Sequence, residues 1–274
     1  MAKLQKAVKA YRNEEFLTSP EARTIRILSE IYEPESRFKK NKIYDTIVFF
    51  GSARFVSTQD AKKLVREAQK KKGKRGYKAE LEKAEKLLSM AKYYDDAVEL
   101  SKRVTEWNMN LPVNEHSFTV CSGGGPGIME AVSRGAKLAG GKSIGLNISI
   151  PFEQYVNKYV DPELAFEFHY FFTRKFWFAY LAKALIVFPG GFGTLDEMME
   201  ILTLVQTGKI KKEMKIIVYD SKFWNNVINF QGLVDNGVVS KEDLKLFTFV
   251  DTVDEAYNIV TQHLEKHYLI NSKK

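Results

Sequence analysis

One cysteine, Cys121, in 274 residues excludes any disulfide within this sequence, so the fold must rest on a packed core. Cysteine used this sparingly fits a reducing compartment. A long uncharged apolar run is also missing. The most apolar region, Phe166 to Phe188, is broken by Arg174, Lys175 and Lys183, whereas a membrane span needs about 20 nearly uncharged residues. Histidine is scarce, and His116, His169, His263 and His267 show no ligand spacing with cysteine or carboxylates, so no metal site is expected. His263 and His267, four apart, read as surface residues. The segment from Met1 to Arg12 is polar and basic and lacks the apolar centre of a signal peptide. A cytoplasmic protein with no membrane partner is expected.

The hydrophobic fraction of 45% and the charged fraction of 28% are ordinary for a folded domain. The net charge of +8 is concentrated rather than spread. Between Ser57 and Asp95 stand twelve Lys and Arg against six Asp and Glu, which leaves the rest of the chain close to neutral. The run Lys70-Lys71-Lys72-Gly73-Lys74-Arg75 has the charge to grip phosphates but no interleaved aromatics. It reads as a solvated break between two helices, and a nucleic-acid partner is not expected.

Three apolar runs end in glycine. Asp45 to Phe50 leads into Gly51-Ser52-Ala53-Arg54, and Ser117 to Ser122 into Gly123-Gly124-Gly125-Pro126-Gly127. Ala184 to Phe188 leads into Pro189-Gly190-Gly191-Phe192-Gly193. Further strands are expected at 142–148, 215–219 and 246–250. Helical spacing follows the second and third loops: Ile128, Ala131, Val132, Ala136 and Ala139, then Leu195, Met198, Met199, Leu202 and Val205. Strands alternating with helices predict an α/β fold, a doubly wound, mostly parallel sheet with helices on both faces. Its glycine loops would gather at one edge of the sheet, where such folds bind ligands. Residues 1–42 are expected to form an N-terminal helical extension broken at Pro20 and Pro34. Residues 43–274 are expected to form one domain, with a helical insertion at about 57–110.

Strand, glycine turn and helix N-terminus at Ala184 to Glu197 make an anion site, since backbone N–H groups and the helix dipole both favour a phosphate. Thr194-Leu195-Asp196-Glu197 also has the spacing of a capping box. Three glycines within four residues exceed what a cap needs and suit close approach of a ligand. Neither glycine loop is a dinucleotide fingerprint, because Ile128 and Asp196 occupy the final glycine positions. Gly140-Gly141-Lys142-Ser143 is no P-loop, because Ala136 stands at the first glycine position and a helix precedes it. Among the aromatics around residue 174, Arg174 is expected to pair with a phosphate or carboxylate at the site. Lys175 is expected on the helix surface with a snorkelling side chain. Arg54, just past the first strand, is a weaker candidate of the same kind as Arg174.

The stretch Pro189-Gly190-Gly191-Phe192-Gly193-Thr194-Leu195-Asp196-Glu197 resembles the PGGxGTxxE signature of the LOG ("lonely guy") phosphoribohydrolases. Gly51-Ser52, the loop from Gly123 to Met129, and Arg174-Lys175 follow in that family's order. The likeness runs from about residue 45 to 250, and the added length is similar to the longer bacterial branch, whose members have been mislabelled lysine decarboxylases. It implies a Rossmann-like fold and hydrolysis of a nucleoside 5′-monophosphate, AMP-like or a cytokinin riboside monophosphate, to free base and ribose 5-phosphate. It also implies a homodimer or higher homo-oligomer, no cofactor and no metal; the aromatic-rich composition of Phe166 to Tyr180 makes that stretch a candidate interface. Carried over to this sequence, Glu197 and Arg174 are the catalytic pair. Gly190, Gly191, Gly193 and Thr194 hold the phosphate, while Gly51, Ser52, Gly124, Gly125 and Met129 (or Glu130) line the nucleotide site. A nucleotide-binding sensor without turnover, or a nucleic-acid-associated protein using the basic insertion, are the alternatives from other classes.

Overall fold

The computed structural model describes residues 7–112, 117–151 and 155–269. Its first strand, β1 (Asp45–Phe50), is rich in the β-branched and aromatic residues that suit a pleated, covered strand, and all six residues are buried. The periodicity of two hidden in that apolar run emerges in packing. Ile47 and Phe49 join the core on one face of the sheet, while Val48 and Phe50 join the core on the other.

The remaining strands are β2 (Phe118–Ser122), β3 (Ser143–Ile148), β4 (Ala165–Phe168), β5 (Ala182–Val187), β6 (Lys215–Tyr219) and β7 (Phe247–Val250). They form one sheet in the order β4-β3-β2-β1-β5-β6-β7, and every neighbouring pair is parallel. The chain winds outward from β1 to β4, then returns to lay β5 on the free side of β1. Winding reverses at β1, so the crevice between the ends of β1 and β5 is the expected ligand position in such a sheet. The sheet is wholly parallel where a mostly parallel one was expected. The strand β4 had no signal of its own, being only four residues in an aromatic-rich stretch.

Ten α-helices flank these strands among the described residues. Before β1 come α1 (Glu14–Thr18) and α2 (Arg23–Lys40). The segment at 57–110 forms α3 (Thr58–Gln69) and α4 (Tyr77–Met109), with the basic run exposed in the turn between them. Then follow α5 (Ile128–Leu138), α6 (Phe171–Leu181), α7 (Phe192–Gln206), α8 (Ser221–Val227), α9 (Phe230–Asp235) and α10 (Val253–Leu264). Residues of α4, α5 and α10 fill the core on one face of the sheet, and residues of α2, α6, α7, α8 and α9 fill the other. No helix among the described residues is long and apolar enough to cross a membrane.

Pro34 does not break the N-terminal helix as expected; it lies inside α2, buried. Proline has no N–H, so the carbonyl of Glu30, four residues earlier, loses its helical donor. The indole Nε1 of Trp177 in α6 donates to that carbonyl at 2.9 Å. The break in the ladder is thereby turned into a tie between two helices.

Candidate active site

The loops after β1, β2 and β5 meet at the winding reversal, and Ser52 joins them. Its N–H donates to the Pro189 carbonyl at 3.0 Å, and its carbonyl accepts from Ile128 N–H at 3.0 Å. Its hydroxyl accepts from the Arg54 N–H at 3.1 Å. Gly51 sits against the Ile128 side chain. In the second loop Gly124 has a φ of +72° and lies so close to the Gly145 backbone that a Cβ would stand 3.0 Å from its Cα. In the third loop a Cβ on Gly190 would run into the Thr194 hydroxyl. Gly191 and Gly193 face open space.

Asn157, which carried no motif, fastens the second loop from outside. Its side-chain amide donates to the carbonyls of Gly124 at 2.9 Å and Gly125 at 3.1 Å, and its N–H donates to Gly124 at 2.7 Å. No periodicity marks such a residue, because its role exists only once β2 and the strap before β4 are brought together.

Helix α7 starts at Phe192 with Gly191 as N-cap, earlier than the Thr194 spacing suggested, and no side chain caps it. Glu197 is therefore not half of a capping box: Thr194 is already inside the helix, and both side chains are buried. The N–H groups of the first turn have no carbonyl ahead of them within the helix. With the dipole they offer an anion a seat beside the open Gly191 and Gly193.

Glu197 is 6% exposed and faces α6. Arg174 Nη1 stands 3.7 Å from Glu197 Oε1, and Lys175 Nζ stands 3.7 Å from Oε2. Lys175 is not the surface lysine expected: its ammonium pairs with Asp196 at 2.7 Å and Glu200 at 2.6 Å, and its side chain is 15% exposed. Burial pushes the Glu197 carboxyl up to about 7, even with Lys175 and Arg174 drawing it down. Burial also lowers Arg174, with Glu197 opposing. For Lys175 burial is outweighed by Asp196 and Glu200, which raise it and keep it charged.

Arg174 is oriented by its Nε, which donates to the Leu146 carbonyl at 2.7 Å. Its Nη2 and the Met129 thioether both press on Gly123, where a Cβ would lie 2.6 Å from each. Met129 and Arg174 thus meet under the second loop. Glu130 instead turns toward the inserted helices, accepting from the Tyr94 hydroxyl at 2.9 Å. Beside the cluster an open groove of about 680 Å³ runs along α7, lined by Lys175, Phe192, Asp196, Met199 and Glu200 among others. Cys121 is buried in β2 and reads as core. His263 lies beside His267 with ring centres 4.6 Å apart, both partly exposed, and His116 lies outside the described residues.

A family model described as "Possible lysine decarboxylase" matches residues 129–260. The chain is 30% identical over 168 residues to the cytokinin riboside 5′-monophosphate phosphoribohydrolase LOG of Oryza sativa subsp. japonica, covering 60% of this chain and 64% of that protein. The chain thus spans less than two thirds of that relative's length. It is 25% identical over 185 residues to the enzyme LOG1 of Arabidopsis thaliana, which bears the same activity in its name, covering 66% of this chain and 81% of that one. Among solved structures, the molybdenum cofactor binding protein of Rippkaea orientalis overlays with a TM-score of 0.46 at 15% identity, covering 79% of this chain and 94% of that one.

Proposed function

We propose that this chain, which is similar to the LOG proteins, hydrolyses the N-glycosidic bond of a nucleoside 5′-monophosphate, AMP-like or a cytokinin riboside monophosphate. The products are the free base and ribose 5-phosphate. One observation carries this reading: a buried carboxyl, Glu197, lies in the second turn of the helix whose open N-terminus suits a phosphate, with two cations beside it.

In this mechanism the first turn of α7, with Gly190, Gly191, Gly193 and Thr194, holds the 5′-phosphate. The ribose then lies toward Glu197. Breaking the bond to the base builds positive charge on the ribose ring, and a buried carboxylate beside that ring stabilises it more than water does. A carboxyl poised near 7 can also accept a proton from the attacking water. Arg174, held by Leu146, favours the ionised form of Glu197 against the effect of burial and lies within reach of substrate oxygens. Gly51, Ser52, Gly124, Gly125 and Met129 shape the nucleotide side of the cleft.

A decarboxylase working through pyridoxal phosphate would need a lysine amine that can become neutral and form a Schiff base. Lys175, the lysine of this site, is raised and held by two carboxylates, which does not fit that cofactor. Its role in the proposed reaction is electrostatic.

The assembly in this reading is a homodimer or larger, because α6 leaves Phe171, Phe172, Phe176 and Tyr180 exposed on its outer side. Residues 43–274 act as one domain, with the insertion at 57–110 bracing it through Tyr94 and Glu130. Incubation with a panel of nucleoside 5′-monophosphates, followed by chromatography for free base, tests the proposal. Release of base from at least one member is expected. A protein that gains thermal stability with nucleotide yet releases no base from any of them is a binder, and the hydrolase reading falls.

A further inference from the structure

Helix α6 carries both cations of the cluster and has no side-chain cap of its own. Charged groups from two distant elements hold its ends instead. At the N-terminal end the Glu30 carboxylate, from α2, accepts from His169 N–H at 2.8 Å, Tyr170 N–H at 3.3 Å and the Thr173 hydroxyl at 2.5 Å. At the C-terminal end the Lys212 ammonium, from the segment between α7 and β6, donates to the carbonyls of Ala179 at 2.7 Å and Tyr180 at 2.6 Å. Each charge has the sign that the helix dipole favours at its end. The carbonyl of Glu30, freed by Pro34, takes the Trp177 indole, so α2 grips α6 one turn further along as well.

The separations of 3.7 Å from Arg174 and Lys175 to Glu197 depend on where α6 sits along and about its axis. A shift of α6 would alter both. We propose that Glu30 and Lys212 are positioning residues for the Arg174–Glu197 pair, acting by fixing α6 at its two ends. The inference rests on the hydrolase reading for its catalytic consequence, but the anchoring itself does not. Burial draws Lys212 down to about 7, with Lys183 adding to the effect. Charged or neutral, its amine retains hydrogens to donate to both carbonyls.

The test compares Glu30→Ala and Lys212→Met with the conservative Glu30→Gln and Lys212→Arg in the full chain, on a nucleotide the parent protein cleaves. Hydrogen exchange is followed over 169–181 and, as a control, over α7. Expected are faster exchange confined to 169–181, a fall in kcat of about 10- to 100-fold with KM within about twofold, and near-parental values for Lys212→Arg. The acid limb of the pH profile moves upward as well, because Glu197 loses its nearby cations; general destabilisation would not move it.

Folded Glu30→Ala and Lys212→Met variants with kcat within twofold of the parent, or with unchanged exchange over α6, overturn the proposal. So does a Lys212→Arg variant as impaired as Lys212→Met. If the alanine or methionine variant does not fold, the glutamine and arginine variants carry the same test, with Glu30→Gln losing part of kcat and Lys212→Arg little. If the parent cleaves no nucleotide, the hydrolase reading fails, and the exchange measurement alone decides whether the two ends are anchored.

Discussion

Arg174 and Glu197 stand 3.7 Å apart, within ion-pair range but too far for a hydrogen bond, while the same guanidinium makes a 2.7 Å bond to the Leu146 carbonyl. The cation is thus fixed by the backbone of β3, and the carboxyl is left free to meet something else. An acid tied up in a bidentate pair could not do that. In the proposed reaction this freedom is what lets Glu197 face the ribose. Replacing Glu197 by Ala is expected to lower kcat by at least about 10³-fold while the circular dichroism spectrum is unchanged. Near-parental turnover in that variant removes Glu197 from the mechanism.

The pH dependence of activity follows from the same carboxyl. Burial raises it to about 7, and the proposed role requires its ionised form. The value of kcat/KM is therefore expected to fall about tenfold per pH unit below 7 and to level off above it. An acid limb centred near 4.5 would mean that the free enzyme does not hold Glu197 in this state.

Stability is expected to run the other way. With a folded value near 7 and an unfolded value near 4.5, the native state holds more protons between these limits, so stability falls as pH rises through them. The fall is about 3 kcal/mol at most. Lys212, lowered to about 7 by burial, contributes in the opposite sense above that pH, so denaturant unfolding at pH 5 and pH 8 should show the Glu197 contribution as a difference between the parent and Glu197→Gln.

Gly190 and Gly193 separate packing from ligand approach. Gly190→Ala meets the Thr194 hydroxyl and is expected to lower the melting temperature and disturb the loop. Gly193 faces open space at the first turn of α7, so Gly193→Ala should hold or gain about 0.5–1 kcal/mol of stability. If the bare backbone serves a phosphate, that stable variant will show a KM raised about tenfold or more. An unchanged KM places the phosphate elsewhere.

Asn157→Ala removes two donors from the carbonyls of Gly124 and Gly125. The second loop is expected to loosen, raising KM about 3- to 10-fold with a smaller effect on kcat. Kinetics with the best nucleotide of the panel checks this, and a variant that loses kcat alone would assign Asn157 a different part.

The strands and glycine loops were legible because each is written in consecutive residues: an apolar run, then glycines, then helical spacing. The helix start at α7 was misread for an instructive reason. Thr194 and Glu197 have capping-box spacing and no box forms, whereas the same spacing at Thr252 and Glu255 forms one at the start of α10. The difference is that α7 starts at Phe192, two residues before Thr194, so that threonine is not at the N-cap position. Glu30, Asn157 and Lys212 carried no signal, since each acts on a backbone far away in sequence. Pro34 was read as a break because the indole that compensates for it lies on another helix. Lys175 looked like a surface lysine because its partners Asp196 and Glu200 arrive only when α7 packs beside α6.

The crossover from α6 through β5 into α7 has a consequence for how this protein can vary. Every charged group of the Glu197 cluster is encoded in the single stretch from Arg174 to Glu200, so it can be transplanted as one cassette. Its anchors are scattered from Glu30 to Lys212. On the positioning proposal, a cassette moved into another sheet without them would keep its motif and lose its alignment, and substitutions in the N-terminal helix of this chain would silence a site they never touch.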